Sequence, residues 1–115
     1  MASVFQAIQR NARISPRKAR LSAGLIRGCG VEEALNRLTF DKHRASDLLR
    51  KVLLSAVANA QHRGGMDPMD LQVVATFIDE GLTYRRFRPC ARGRAHGIKK
   101  RCSHITVKVA AKERE

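Results

Sequence analysis

The chain has no tryptophan, one tyrosine and four phenylalanines. That is too few aromatics for the stacking platform of an RNA-recognition motif. Acids are scarce as well: ten Asp and Glu stand against 23 Lys and Arg, leaving a formal net charge of +13. The three cysteines, Cys29, Cys90 and Cys102, are odd in number and show no Cys-x-x-Cys spacing, which argues against a disulfide framework or a zinc site. Free thiols in a reducing compartment are expected. His43, His62, His96 and His104 lack metal-type spacing, so no metal or other cofactor is expected. Long hydrophobic runs are missing too. Val52–Ala60 is far too short to cross a bilayer, and Met1–Arg10 has no apolar core after a positive charge. Membrane insertion is therefore not expected, and the chain reads as cytosolic, or organellar after processing.

Catalytic signatures are missing in the same way. Ser103-His104 has no identifiable acid partner, and Asp79-Glu80 reads as a strand end. Gly28-Cys29-Gly30 has no preceding strand and no third glycine, so it is not a dinucleotide fingerprint, and no phosphate-binding loop occurs. An enzyme is not expected.

What is present is charge, and it is concentrated. Leu82–Arg101 holds Arg85, Arg86, Arg88, Arg92, Arg94, Lys99, Lys100 and Arg101 with no acid, a local charge of +8 against +5 in all the rest. A merely solvated surface would interleave its acids with its bases, but here the acids lie outside the basic stretch. Such a stretch repels itself and calls for a polyanion, the footprint of a nucleic-acid binder.

The flanks give it shape. Leu71–Ile78 sets Leu71, Val73, Ala75 and Phe77 against Gln72, Val74, Thr76 and Ile78, a period-two pattern rich in β-branched residues. His104–Val109 sets Ile105, Val107 and Val109 against Thr106 and Lys108. Two such strands around the basic stretch predict an antiparallel hairpin over about residues 80–103, with Arg88, Pro89, Cys90, Ala91, Arg92, Gly93 and Arg94 at its tip. Ten residues per arm at about 3.3 Å each give a reach of roughly 30 Å. A two-stranded ribbon of that length is marginal alone in water, so it is expected to be ordered inside its partner.

The remainder reads as a small scaffold, one domain over 1–115. Ser3–Ala12 alternates weakly and predicts an edge strand. Ser15-Pro16 starts a helix expected to run to about Arg27, with Leu21, Ser22, Leu25 and Ile26 opposite a basic arc of Arg17, Arg20 and Arg27. Val31–Leu38 is a short helix with Val31, Ala34, Leu35 and Leu38 on one side. Asp41–His62 is the longest helix, with Asp41 as the expected cap and Gly64-Gly65 as its end. Met66–Asp70 is a turn.

Guanidinium forks suit folded RNA with unstacked nucleotides. Candidate contacts are Arg85, Arg86, Lys99, Lys100 and Arg101 on the arms and Arg17, Lys18 and Arg20 on the first helix, where a plain solvated face is the competing reading. Tyr84 and Phe87 either stack on bases or pack across the ribbon. A free-standing RNA chaperone or regulatory RNA-binding protein uses the same kind of arm. A membrane-active cationic protein is disfavoured, since no basic amphipathic helix with bulky aromatics is present.

Several motifs together resemble one family. They are Arg13-Ile14-Ser15-Pro16-Arg17-Lys18-Ala19-Arg20-Leu21, Leu25-Ile26-Arg27-Gly28, Val31-Glu32-Glu33-Ala34-Leu35, Ala56-Val57-Ala58-Asn59-Ala60 and Asp79-Glu80-Gly81, continued by Arg86-Phe87-Arg88-Pro89, Ala91-Arg92-Gly93-Arg94-Ala95, and Lys100-Arg101 before Ser103-His104-Ile105-Thr106-Val107. Over about Ala12 to Val109 the chain resembles the universal large-subunit ribosomal protein number twenty-two, in its bacterial form. The resemblance implies an α+β fold, three helices on a small antiparallel sheet with a long protruding β-hairpin. It implies large-subunit rRNA and neighbouring ribosomal proteins as partners, a role in subunit assembly, and a hairpin tip that lines the exit tunnel and meets nascent peptide. It places the chain on a cytoplasmic ribosome, with an organellar one left open. Four positions depart from the family pattern: Cys90 where an Arg is expected, His96-Gly97 where a bulkier pair is expected, and Cys102 where Thr is usual.

Overall fold

Three helices pack on one face of a three-stranded antiparallel sheet, and two of its strands continue far past the helices as a ribbon. The structure, a computed structural model, describes residues 3–89, 93 and 95–112. The elements in order are β1 (Val4–Ala12), α1 (Pro16–Ala23), α2 (Val31–Phe40), α3 (Arg44–Gly64), a 3₁₀ turn (Pro68–Asp70), β2 (Leu71–Pro89) and β3 (Ala95–Ala111). The strand order is β1-β3-β2, so β3 is central and β1 is an edge. This is the α+β architecture that the family resemblance implies.

The core lies between the helices and that sheet face. Leu49, Leu53, Ala56 and Ala60 of α3 are buried with Ile105, Val107 and Val109 of β3. A fully buried leucine, isoleucine or valine contributes about 1.5–3 kcal/mol, so Leu49, Leu53, Ile105, Val107 and Val109 carry much of the fold. The α3 periodicity matches its burial, except that Leu48 is only partly buried and Ser46 is fully so. The helix ends at Gly65, which takes the left-handed cap at φ 60°.

Three details differ from the sequence expectations. α1 ends at Ala23, not near Arg27. Leu25 and Ile26 donate their amides to Ser22 and Ala23, the i→i−3 pattern of a tightening turn, and Gly28 reaches φ 77° before the chain turns toward α2. Leu21 is 64% exposed and Leu25 is exposed too, while Ala19, Ser22, Ala23 and Ile26 are buried. The buried side of α1 is thus narrow and small, which lets the helix lie close.

In β2 the pattern changes phase. Leu71 and Val73 are buried, but so are Thr76 and Ile78, whereas Phe77 is exposed. The register slips between Val73 and Ala75, and Val74 is the extra residue of the bulge. One inserted residue flips every later side chain to the other face.

Asp41 is not the cap of α3. The helix begins at Arg44 after His43, and Asp41 instead ends α2. Its carboxylate accepts hydrogen bonds from the hydroxyls of Ser46 and of Ser22 and lies 2.9 Å from His43 Nδ1. Both serines are fully buried, so Asp41 ties α1 to the start of α3.

Candidate nucleic-acid interface

Beyond Gly81 the two long strands leave the domain. The radius of gyration is 17.2 Å and the extents are 66 × 26 × 19 Å. A compact chain of this length would have a radius of gyration near 13 Å, so the ribbon protrudes. Pairing runs without a break from Thr83↔Arg101 to Pro89↔Ala95. Seven residues at about 3.3 Å each carry it roughly 23 Å outward.

The root of the ribbon is anchored. A second bulge lies between Glu80 and Thr83. Here the Asn11 side-chain oxygen accepts from the Leu82 amide at 3.2 Å, and the Asn11 amide donates to His104 Nδ1 at 3.1 Å. A Cβ at Gly81 would lie 2.9 Å from Asn11 Oδ1 and 3.3 Å from the Cys102 backbone, so a larger residue there would have to displace the Asn11 side chain. Ser103 Oγ donates to the Ile14 carbonyl at 2.7 Å, fixing the approach to α1 against β3.

Alternation sorts the charges of the ribbon. Arg85 and Lys99 are cross-strand partners, and Arg101 shares their face; Tyr84 and Lys100 are partners on the other, with Arg86. Both faces are cationic. Among the described residues the only ion pairs are Arg37–Glu33 at 2.7 Å and His43–Asp41. No described cation of the ribbon is neutralised within the chain, so the countercharge must come from outside.

At the ribbon's root this charge meets that of the domain. A cleft of about 620 Å³ is lined by Arg13, Lys18, Arg44, Tyr84, Lys99, Lys100 and Arg101 with no carboxylate. A second cleft, lined by Pro16, Glu80, Gly81, Thr83, Arg85, Lys99 and Arg101, adjoins it through shared residues. Ser15 places Lys18 here: its Oγ accepts from the Lys18 amide and caps α1. Arg44 arrives as the first residue of α3. Arg13 and Arg44 are absent from the sequence-based candidates. Arg13 lies just before the predicted helix and Arg44 in a separate segment, and only the tertiary fold brings Arg13 and Lys18 beside Arg44 and Lys100.

The other candidates divide. Arg17 is exposed on α1 and outside both clefts. Arg20 turns partly inward and donates to the Ile78 carbonyl at 3.1 Å; Arg27 likewise donates to Thr76 Oγ1 at 2.7 Å and to the Thr76 carbonyl at 3.0 Å. With Gly28 and Cys29 exchanging backbone bonds with Val73, these arginines cover the outer edge of β2. Arg86 lies over the Tyr84 ring, 5.7 Å from its centroid, so one side of that half-exposed ring is already taken.

At the tip, Arg88 and Pro89 end β2 and Gly93 has φ 72°. Cys90, Ala91, Arg92 and Arg94 fall outside the described residues, as does the Phe87 side chain. Cys29 and Cys102 are free and buried. No helix among the described residues is long and apolar enough to cross a membrane.

A protruding ribbon, cationic on both faces and rooted in an acid-free cleft, is built to lie within a folded polyanion. The family model described as Ribosomal protein L22p/L17e matches the chain over residues 7–110, which include every strand and helix named above save the first and last few residues of the sheet. The chain belongs to this ribosomal protein family and is a structural, rRNA-binding component of the large ribosomal subunit, where its partners are rRNA and other ribosomal proteins.

Proposed function

We propose that residues 1–115 act as one domain that supports large-subunit assembly and carries residues 80–103 as an arm through the rRNA to the wall of the nascent-peptide exit tunnel. Arg17, Lys18, Arg20, Arg85, Arg86, Lys99, Lys100 and Arg101 contact rRNA, Arg20 through the donors left free by Ile78. Arg88, Pro89, Cys90, Ala91, Arg92, Gly93 and Arg94 line the tunnel and meet nascent peptide. The carrying observation is that both faces of the ribbon hold cations that, among the described residues, make no ion pair within the chain. A strand ribbon with one charged face would lie on the surface of RNA; charge on both faces suits burial between RNA segments.

The test is a photocrosslinker at position 91 in translating large subunits. Crosslinks to a stalled nascent chain are expected there, and crosslinks to rRNA alone are expected from position 99. Absence of nascent-chain products at 91, with the protein present at one copy per subunit, would reject the tunnel assignment while leaving the family assignment in place.

A further inference from the structure

The cleft at the ribbon's root holds one side chain that phosphate neutralisation does not use. Arg13, Lys18, Arg44, Lys99, Lys100 and Arg101 supply its charge, and with them stands Tyr84, the one aromatic among its described lining residues. The ring is not core packing, since Tyr84 is 40% exposed. One side of it is already backed. Arg86 lies over the ring at 5.7 Å from the centroid, and Arg86 Nη1 donates to the Arg85 carbonyl at 3.0 Å, which steadies the guanidinium there. Arg86 does not line the cleft, so Tyr84 meets the cleft with the part of the ring that the guanidinium leaves bare.

The backbone under the ring is fixed as well. Tyr84 pairs with Lys100 and stands two residues beyond Leu82, whose amide is held by Asn11 Oδ1 at 3.2 Å. A ring on an anchored strand loses little freedom when a ligand covers it. The two chemistries together select that ligand. Six cations without a carboxylate take phosphate, and a bare π face beside them takes a nucleobase, whatever its identity. A continuous A-form helix keeps its bases stacked inside; a base reaches a side-chain ring only where it is splayed out. The cleft, about 620 Å³, falls within the roughly 300–1,000 Å³ of sites that enclose small ligands. That is room for a nucleotide and its flanking phosphates.

We propose that the cleft seats an unstacked rRNA nucleotide, its base stacked on the bare face of Tyr84 and its flanking phosphates held by the surrounding cations. Arg86 backs the ring from the opposite side. The proposal rests on the chain's binding of large-subunit rRNA and is independent of the tunnel reading.

The chain has one tyrosine and no tryptophan, so its intrinsic fluorescence reads Tyr84 alone. The test titrates the full, unaltered chain with the rRNA fragment that it protects from nuclease in the large subunit. After correction for absorption by the RNA, the emission should be quenched to a plateau. Inorganic polyphosphate, which has the charge and no base, should bind and leave the emission in place. Tyr84→Phe should bind the fragment within about twofold of the parent, whereas Tyr84→Leu, which keeps apolar bulk and loses the ring, should bind on the order of tenfold more weakly. That loss should be the same at every salt concentration, because no phosphate contact is removed. Binding of the fragment without quenching, equal quenching by polyphosphate, or a Tyr84→Leu chain that binds as well as Tyr84→Phe would each overturn the stacked base and leave rRNA binding standing. A parent chain that does not bind the fragment would overturn both. The quenching arm does not depend on either variant folding.

Discussion

Asn11 and Leu82, seventy-one positions apart, are joined at the point where the ribbon leaves the domain: Asn11 Oδ1 accepts the Leu82 amide at 3.2 Å. Asn11 holds φ 56°, in the left-handed region, which asparagine tolerates better than most residues. The contact thus couples a strained edge-strand residue to the bulge that redirects the ribbon. Replacing Asn11 by Ala removes the Leu82 bond and keeps the strain, and should cost about 1–3 kcal/mol. Replacing it by Gly relieves the strain and should cost about 1 kcal/mol less than Ala. Urea unfolding of the isolated protein measures both. Equal losses for Ala and Gly would show that the backbone angle is not strained there.

Asp41 gives the fold a dependence on acid. The Ser46 hydroxyl, followed by His43 and Ser22, holds its carboxyl down from 3.8 to about 2. A carboxylate whose folded pKa is depressed stabilises the fold above its unfolded pKa and loses that contribution as pH falls through the folded value. Stability should therefore be lost between about pH 4 and pH 2. Allowing for partial hydration of the group, the contribution is roughly 1–2 kcal/mol. Asp41→Asn keeps an acceptor but not the charge, and its deficit against the parent should shrink as pH drops across that window. A deficit that stays constant from pH 6 to pH 2.5 would mean that the charge contributes nothing.

The arginines of the first helical region separate folding from binding. Arg27 makes two hydrogen bonds to Thr76, whose side chain is buried, and Arg17 makes none among the described residues. Arg27→Ala should destabilise the isolated protein by about 1–3 kcal/mol, since charge-assisted bonds to a covered strand edge are lost. Arg27→Lys should not restore it, because an ammonium cannot span Oγ1 and the carbonyl as the planar fork does. Arg17→Ala should change stability by no more than about 0.5 kcal/mol. A large loss for Arg17→Ala, read from the urea midpoint, would contradict this division.

These residues also show where sequence reading succeeds and where it stops. The hairpin was legible because two period-two runs bracket an acid-free basic stretch, and α3 because its apolar residues recur at three and four. Ser15 and Gly65 announced their caps. What periodicity does not carry is the phase change at Val74, since an extra strand residue leaves no mark on composition. Nor does it carry the inward turn of Arg20 and Arg27: an arginine on a helical arc looks the same whether it faces solvent or the carbonyls of a strand edge. Asp41 read as a cap because Asp is a good one, yet two buried serines claim its oxygens first. The cleft is the strongest case. Arg13, Lys18, Arg44 and Lys100 come from four separate segments, and no local window contains any two of them except Arg13 and Lys18.

That convergence sets the last prediction. If the cleft neutralises phosphates as a unit, the chain's affinity for a large-subunit rRNA fragment should fall steeply with salt, and each lost contact should lower the slope by about 0.7–0.9. Replacing Arg13, Lys18, Arg44 and Lys100 together by Gln should therefore reduce the slope by about 3. Circular dichroism should remain unchanged, because none of these four side chains makes an intramolecular ion pair among the described residues. Arg63, in the last turn of α3 and outside the cleft, serves as the comparison, and Arg63→Gln should leave the slope within error. Binding measured from 50 to 400 mM KCl distinguishes the outcomes. A parallel downward shift of the quadruple variant, with the slope preserved, would mean that the four residues shape the site without touching phosphate. A drop confined to the slope, with similar binding at the highest salt, would identify the acid-free cleft at the ribbon's root as the place where the phosphates are held.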